Sequence, residues 1–145
     1  MLKNALRPAI GLGAGCLVWF FLWFELERLP NFFWPVADGY GFLMFCLAAP
    51  VIEEFFFRDM LYNWIQTVRS YDVRIRGVLI FTFANLATTA AFSVVHMLTR
   101  DIVTGLLVIV PSLYLGFIRQ RARNVGPCIL VHAFWNYGWF AFFSL

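Results

Sequence analysis

A few ionisable side chains stand inside long apolar runs of this sequence, and their spacing is helical. One run carries Glu53-Glu54-Phe55-Phe56-Phe57-Arg58-Asp59. A second carries Phe92-Ser93-Val94-Val95-His96, and a third His132-Ala133-Phe134-Trp135-Asn136. Burying such groups in hydrocarbon is costly, so they pair, face a cavity or do chemistry. Glu54 and Arg58 are four apart with the acid first, the favourable pairing order on a helix, so Arg58 is expected to neutralise Glu54. Glu53 points about 100° away around the same helix and is left without an obvious partner on its own helix. In the second run Asn85, Thr89, Phe92 and His96 share one helical face, and in the third His132 and Asn136 do.

A carboxylate and a histidine together activate a water molecule as general base. His132 and Asn136 supply hydrogen-bond donors for a developing oxyanion, each worth about 3 kcal/mol in such sites. The set describes amide hydrolysis without a covalent intermediate. Ser93 lies three residues before His96, but no GxSxG elbow surrounds it. HExxH, the zincin signature, is absent. Pro50, three residues before Glu53, removes one helix hydrogen bond. It either kinks the helix so that water enters near the acid, or only shapes packing.

The elements that must position these groups follow from composition. The chain has 145 residues, 62% of them apolar and 13% charged, with 20% aromatic. A soluble domain is about a quarter charged and about half apolar. A disulfide scaffold, a disordered tail and a nucleic-acid module are excluded, and a bilayer is the expected solvent. Five apolar runs are read as spans, at about 9–24, 42–65, 78–98, 102–118 and 125–145. The first is short for a crossing of about 20 residues. It carries Gly11 and Gly15 at GxxxG spacing, expected to serve helix packing. It is read as an uncleaved span rather than a signal peptide, because apolar sequence continues past Cys16. Cys16, Cys46 and Cys128 are scattered one to a segment, without a CxxC pair, and are read as small packed hydrophobes. Trp34, Trp64 and Trp139 are interface or packing aromatics.

Basic residues set the orientation. Lys3 and Arg7, then Arg69, Arg74 and Arg76, then Arg119, Arg121 and Arg123 fall on one side, against Arg28 and Arg100 on the other. The positive-inside rule places the N-terminus in the cytoplasm. Connecting segments run to about fifteen residues at most, shorter than any soluble catalytic domain. The expected fold is therefore all-α: a single membrane-embedded domain over 1–145, a polytopic bundle of about five spans. Any chemistry happens inside the membrane.

EExxxR, FxxxH and HxxxN, in that order on separate helices, resemble the signature of the CPBP family, the Abi or CAAX-protease and bacteriocin-processing intramembrane glutamic proteases. All three motifs are complete, and the resemblance covers about residues 42–140. It implies that Glu53 and His96 activate the water, that His132 and Asn136 form the oxyanion site, and that Glu54, Arg58 and Phe92 support them. It implies no cofactor, although Glu53, His96 and His132 are chemically able to ligate zinc. It also implies a membrane-anchored protein or peptide substrate and residence in the lipid bilayer, with a bacterial inner membrane expected. In size the chain looks more like small members paired with C-terminal sorting signals, the myxosortase-like enzymes, than like the larger CAAX endopeptidases.

Each motif alone also has a plain structural reading. A single histidine in a span is often just a satisfied hydrogen-bonding group, and a Glu–Arg pair a clamp between helices. Other functions are a haem protein with His96 and His132 as axial ligands, a metal-binding membrane protein, or a non-catalytic immunity or assembly partner with the same fold.

Overall fold

The computed structural model describes residues 2–26, 30–69, 71–75, 78–122 and 124–143. Arg28, Arg76 and Arg123, counted above among the orienting charges, lie outside the described residues. The described elements are α1 (Leu2–Leu26), a short α2 (Trp34–Ala37), a long α3 (Gly39–Val68), β1 (Asp72–Ile75), β2 (Val78–Thr82), α4 (Phe83–Thr99), α5 (Ile102–Arg119) and α6 (Gly126–Phe143). The chain is mostly helical. By length and composition α3 and α5 are long and apolar enough to cross a membrane. The residues form two compact units, 1–52 with 129–145, and 53–128.

In the first unit α1 and α6 pack through small residues. Gly11 and Gly15 are buried, and a Cβ on Gly15 would lie 2.7 Å from the Trp135 ring. Trp135 Nε1 donates to the Gly11 carbonyl at 3.1 Å, and Trp19 lies 4.3 Å from Phe134 between ring centroids. The expected packing role of the two glycines is what the structure shows. Trp34 is buried with Cys46 and Ala141, and its Nε1 donates to the Tyr137 carbonyl at 3.3 Å. Trp34 is thus a packing residue, whereas Trp64 and Trp139 are exposed. Cys46 and Cys128 are buried as expected, but Cys16 is exposed. It sits one residue past Gly15, and 100° of helical rotation carries it off the packed face of α1.

The second unit departs from the sequence reading in one element. Residues 78–82 of the third apolar run are a strand, paired antiparallel with β1 through Val73↔Phe81 and Ile75↔Val78. Val78, Ile80, Phe81 and Thr82 are β-branched or aromatic, and a short apolar run of that kind suits a strand as well as a buried helix. The helix begins only at Phe83, where Thr82 caps it: the Thr82 Oγ1 accepts from the Asn85 N–H at 3.1 Å. α4 turns back into α5 across Arg100 and Asp101. The Asp101 carboxylate accepts from the Thr104 N–H at 2.8 Å and the Thr104 hydroxyl at 2.6 Å. The hydroxyl first, then the N–H, holds that carboxyl below its usual range. α4 and α5 approach closely where the buried Gly116 faces Asn85, since a Cβ there would overlap the Asn85 amide. The Ser93 hydroxyl donates to the Gly105 carbonyl at 2.6 Å, which makes Ser93 a helix-packing contact.

Candidate active site

α3 is not a uniform α-helix. Two π-helical segments, Phe42–Ala48 and Phe55–Leu61, flank the α-helical turn Ala49–Glu54 that ends in the paired glutamates. Such segments insert an i→i+5 register and recur at functional sites. Pro50 offers a reason for the first: it has no N–H to give the preceding turn. There the Ala49 N–H donates to the Met44 carbonyl, one residue further back than in an α-helix. The carbonyl it skips, that of Phe45, accepts instead from the Asn136 side-chain amide of α6 at 2.8 Å. Asn136 is thereby fixed in the first unit. His132, one turn earlier on the same face of α6, is buried there.

The second unit holds the other half of the candidate residues. Glu54 and Arg58 are fully buried and form an ion pair at 3.5 Å, as the four-residue spacing predicts. Glu53, its neighbour in sequence, is only half-buried. The Arg58 guanidinium is held on three sides. Its Nη2 donates to the Ser112 hydroxyl at 2.7 Å and the Ser112 carbonyl at 3.2 Å. Its Cζ lies 4.9 Å from the centroid of the Phe92 ring, a cation–π contact. Ser112 in turn donates to Thr89 at 3.1 Å, and Asn85 on the same face of α4 bonds the Leu113 carbonyl at 3.1 Å. A buried polar ladder thus ties α3, α4 and α5 together through Arg58, Ser112, Thr89 and Asn85.

Phe92 also carries the histidine. Its ring centroid is 4.3 Å from that of His96, and its carbonyl lies 3.0 Å from His96 Nδ1. A carbonyl only accepts, so this bond is made with a proton on Nδ1, and Nε2 is the ring nitrogen outside it. The stack Arg58–Phe92–His96 therefore positions an imidazole whose outer nitrogen can accept a proton.

The structure brings Glu54, Arg58, Phe92 and His96 together in the second unit and places His132 and Asn136 in the first. Two residues of this assembly went unread in the sequence: Ser112, and Arg119, which was counted only as an orienting charge. Their signal was present, since Ser112 is a polar residue in an apolar run seven residues before Arg119, on one face of a helix. Among the described residues no group of three or more His, Cys, Asp or Glu side chains is placed to hold a metal ion.

Comparison with curated proteins and with solved structures returned no match. A family model described as type II CAAX prenyl endopeptidase Rce1-like matches residues 32–138, a stretch that takes in all three motifs. The chain belongs to the Rce1-like family of type II CAAX prenyl endopeptidases, integral membrane proteases.

Proposed function

We propose that this protein is a glutamic-type intramembrane endopeptidase in which Glu53 and His96 activate a water molecule. The single observation that carries the reading is the contrast between the two adjacent glutamates. Glu54 is fully buried against Arg58, while Glu53 keeps part of its surface accessible. Only the second can take a proton from water and pass it on. Glu53 and His96 Nε2 together draw the proton from water as its oxygen attacks the scissile carbonyl carbon. His132 and the second amide hydrogen of Asn136 donate to the oxyanion that forms. The C–N bond then breaks, the proton passes to the leaving amine, and a carboxylate and an amine result. No step needs a metal. Asn136→Ala is expected to lower kcat by about 10²–10³-fold against an internally quenched peptide with a C-terminal transmembrane tail. Activity within a few-fold of wild type would remove Asn136 from the oxyanion site.

The proposed topology has five spans with the N-terminus in the cytoplasm of a bacterial inner membrane, on the positive-inside argument. α4 then runs outward, and His96 lies one turn from its end at Thr99. The proposed site is biased towards the outer half of the membrane. The family's name speaks of CAAX prenyl substrates. An outward bias favours membrane-anchored substrates presented from outside, such as C-terminal sorting tails. A cysteine placed at position 96, with Cys16, Cys46 and Cys128 replaced, is expected to react with an impermeant maleimide added outside. Reaction only from the cytoplasmic side would overturn this orientation.

A further inference from the structure

The π-helical segment that follows the glutamates leaves a backbone carbonyl to be satisfied. In an α-helix the Tyr62 N–H would bond the Arg58 carbonyl. Here it donates to the Phe57 and Asp59 carbonyls instead. The Arg58 carbonyl accepts from Arg119 Nε, at the C-terminal end of α5, at 2.8 Å. The same guanidinium grips the segment at two further points, with Nη2 3.0 Å from Asn63 Oδ1 and 3.3 Å from Asp59 Oδ1. It lies 5.6 Å from the Tyr62 ring centroid. The Arg119 side chain is only 12% exposed, and its bond to the Arg58 carbonyl is part-buried. Two turns earlier on the same helix, Ser112 holds the Arg58 guanidinium. One face of α5 thus holds Arg58 by its side chain and by its backbone.

We propose that Arg119 is a positioning residue for the glutamate pair: it keeps residues 55–61 of α3 in the π register by capping the Arg58 carbonyl. The inference rests on the reading of Glu53 as the base. A helix that relaxed to the α register would shed one residue from the bulge. Everything on one side would then rotate by about 100° relative to the other, carrying the carboxylates with it. Arginine suits the task because its planar fork serves the carbonyl and the two side-chain oxygens at once, which a lysine ammonium cannot do with the same geometry.

The test uses the full chain in detergent micelles, with the internally quenched, tail-bearing peptide as probe and amide hydrogen exchange as a second readout. Arg119→Met is expected to lower kcat by about 10²-fold, the scale of a small misplacement of reacting groups, with KM within about twofold. Exchange should rise across residues 57–63 and stay unchanged in α6. Arg119→Lys should fall between the two in both readouts, and it decides the matter if Arg119→Met does not fold. Unchanged exchange across 57–63, or a kcat equal to wild type, overturns the proposal. So does a loss confined to global stability with kcat retained. A Glu53→Gln variant that stays active would overturn the reading of the base, while the exchange result would still decide the role of Arg119.

Discussion

Glu53→Gln is expected to lower kcat by about 10²–10⁴-fold while KM and the unfolding temperature stay close to wild type. The amide keeps the shape of the side chain and removes its capacity to take a proton. Glu53 is half-buried and the Glu54–Arg58 ion pair does not include it, so the substitution leaves that pair intact. Glu54→Gln is expected to behave in the opposite way. It removes the charge that balances the buried Arg58, so its cost falls first on stability and reaches activity only through the placement of α3. The measurement is single-turnover cleavage of the tail-bearing peptide beside thermal unfolding of both variants. Full activity in Glu53→Gln would refute the assignment of the base, whatever Glu54→Gln does.

Arg58→Met is expected to destabilise the protein by about 3–5 kcal/mol, because it strands the Glu54 carboxylate at a site with no solvent exposure. Both partners are fully buried, and Arg58 also carries the bonds to Ser112 and the contact with Phe92. The paired change Glu54→Leu with Arg58→Met should recover most of the loss, since removing both charges removes the desolvation that the pair had to offset. Chemical unfolding of the two single variants and the double variant closes a cycle that isolates the coupling. Additive losses would mean that the two side chains are not coupled as their 3.5 Å ion pair within α3 describes.

Much of the second unit's site is legible in the sequence, for a local reason. Residues three or four apart on a helix are neighbours whatever the rest of the chain does. That periodicity is enough to pair Glu54 with Arg58, to separate Glu53 from them, and to set Asn85, Thr89 and Phe92 on one face. The apolar length of α3 and α5 is likewise readable. The hairpin is not, because Val78–Thr82 is a short apolar run whose partner strand, not its own composition, decides its conformation. The exposure of Cys16 is of the same kind, since only the packing of α1 against α6 says which face of α1 is covered.

Helical period is a property of the chain alone, so the polar groups of this protein and their neighbours along each helix can be read without the fold. Tertiary structure decided which donors serve the carbonyls along α3. A π segment skips a carbonyl, and a skipped carbonyl away from water must find a donor elsewhere. Asn136 on α6 serves Phe45, and Arg119 on α5 serves Arg58. These partners stand 91 and 61 residues away along the chain, beyond the reach of any periodic signal.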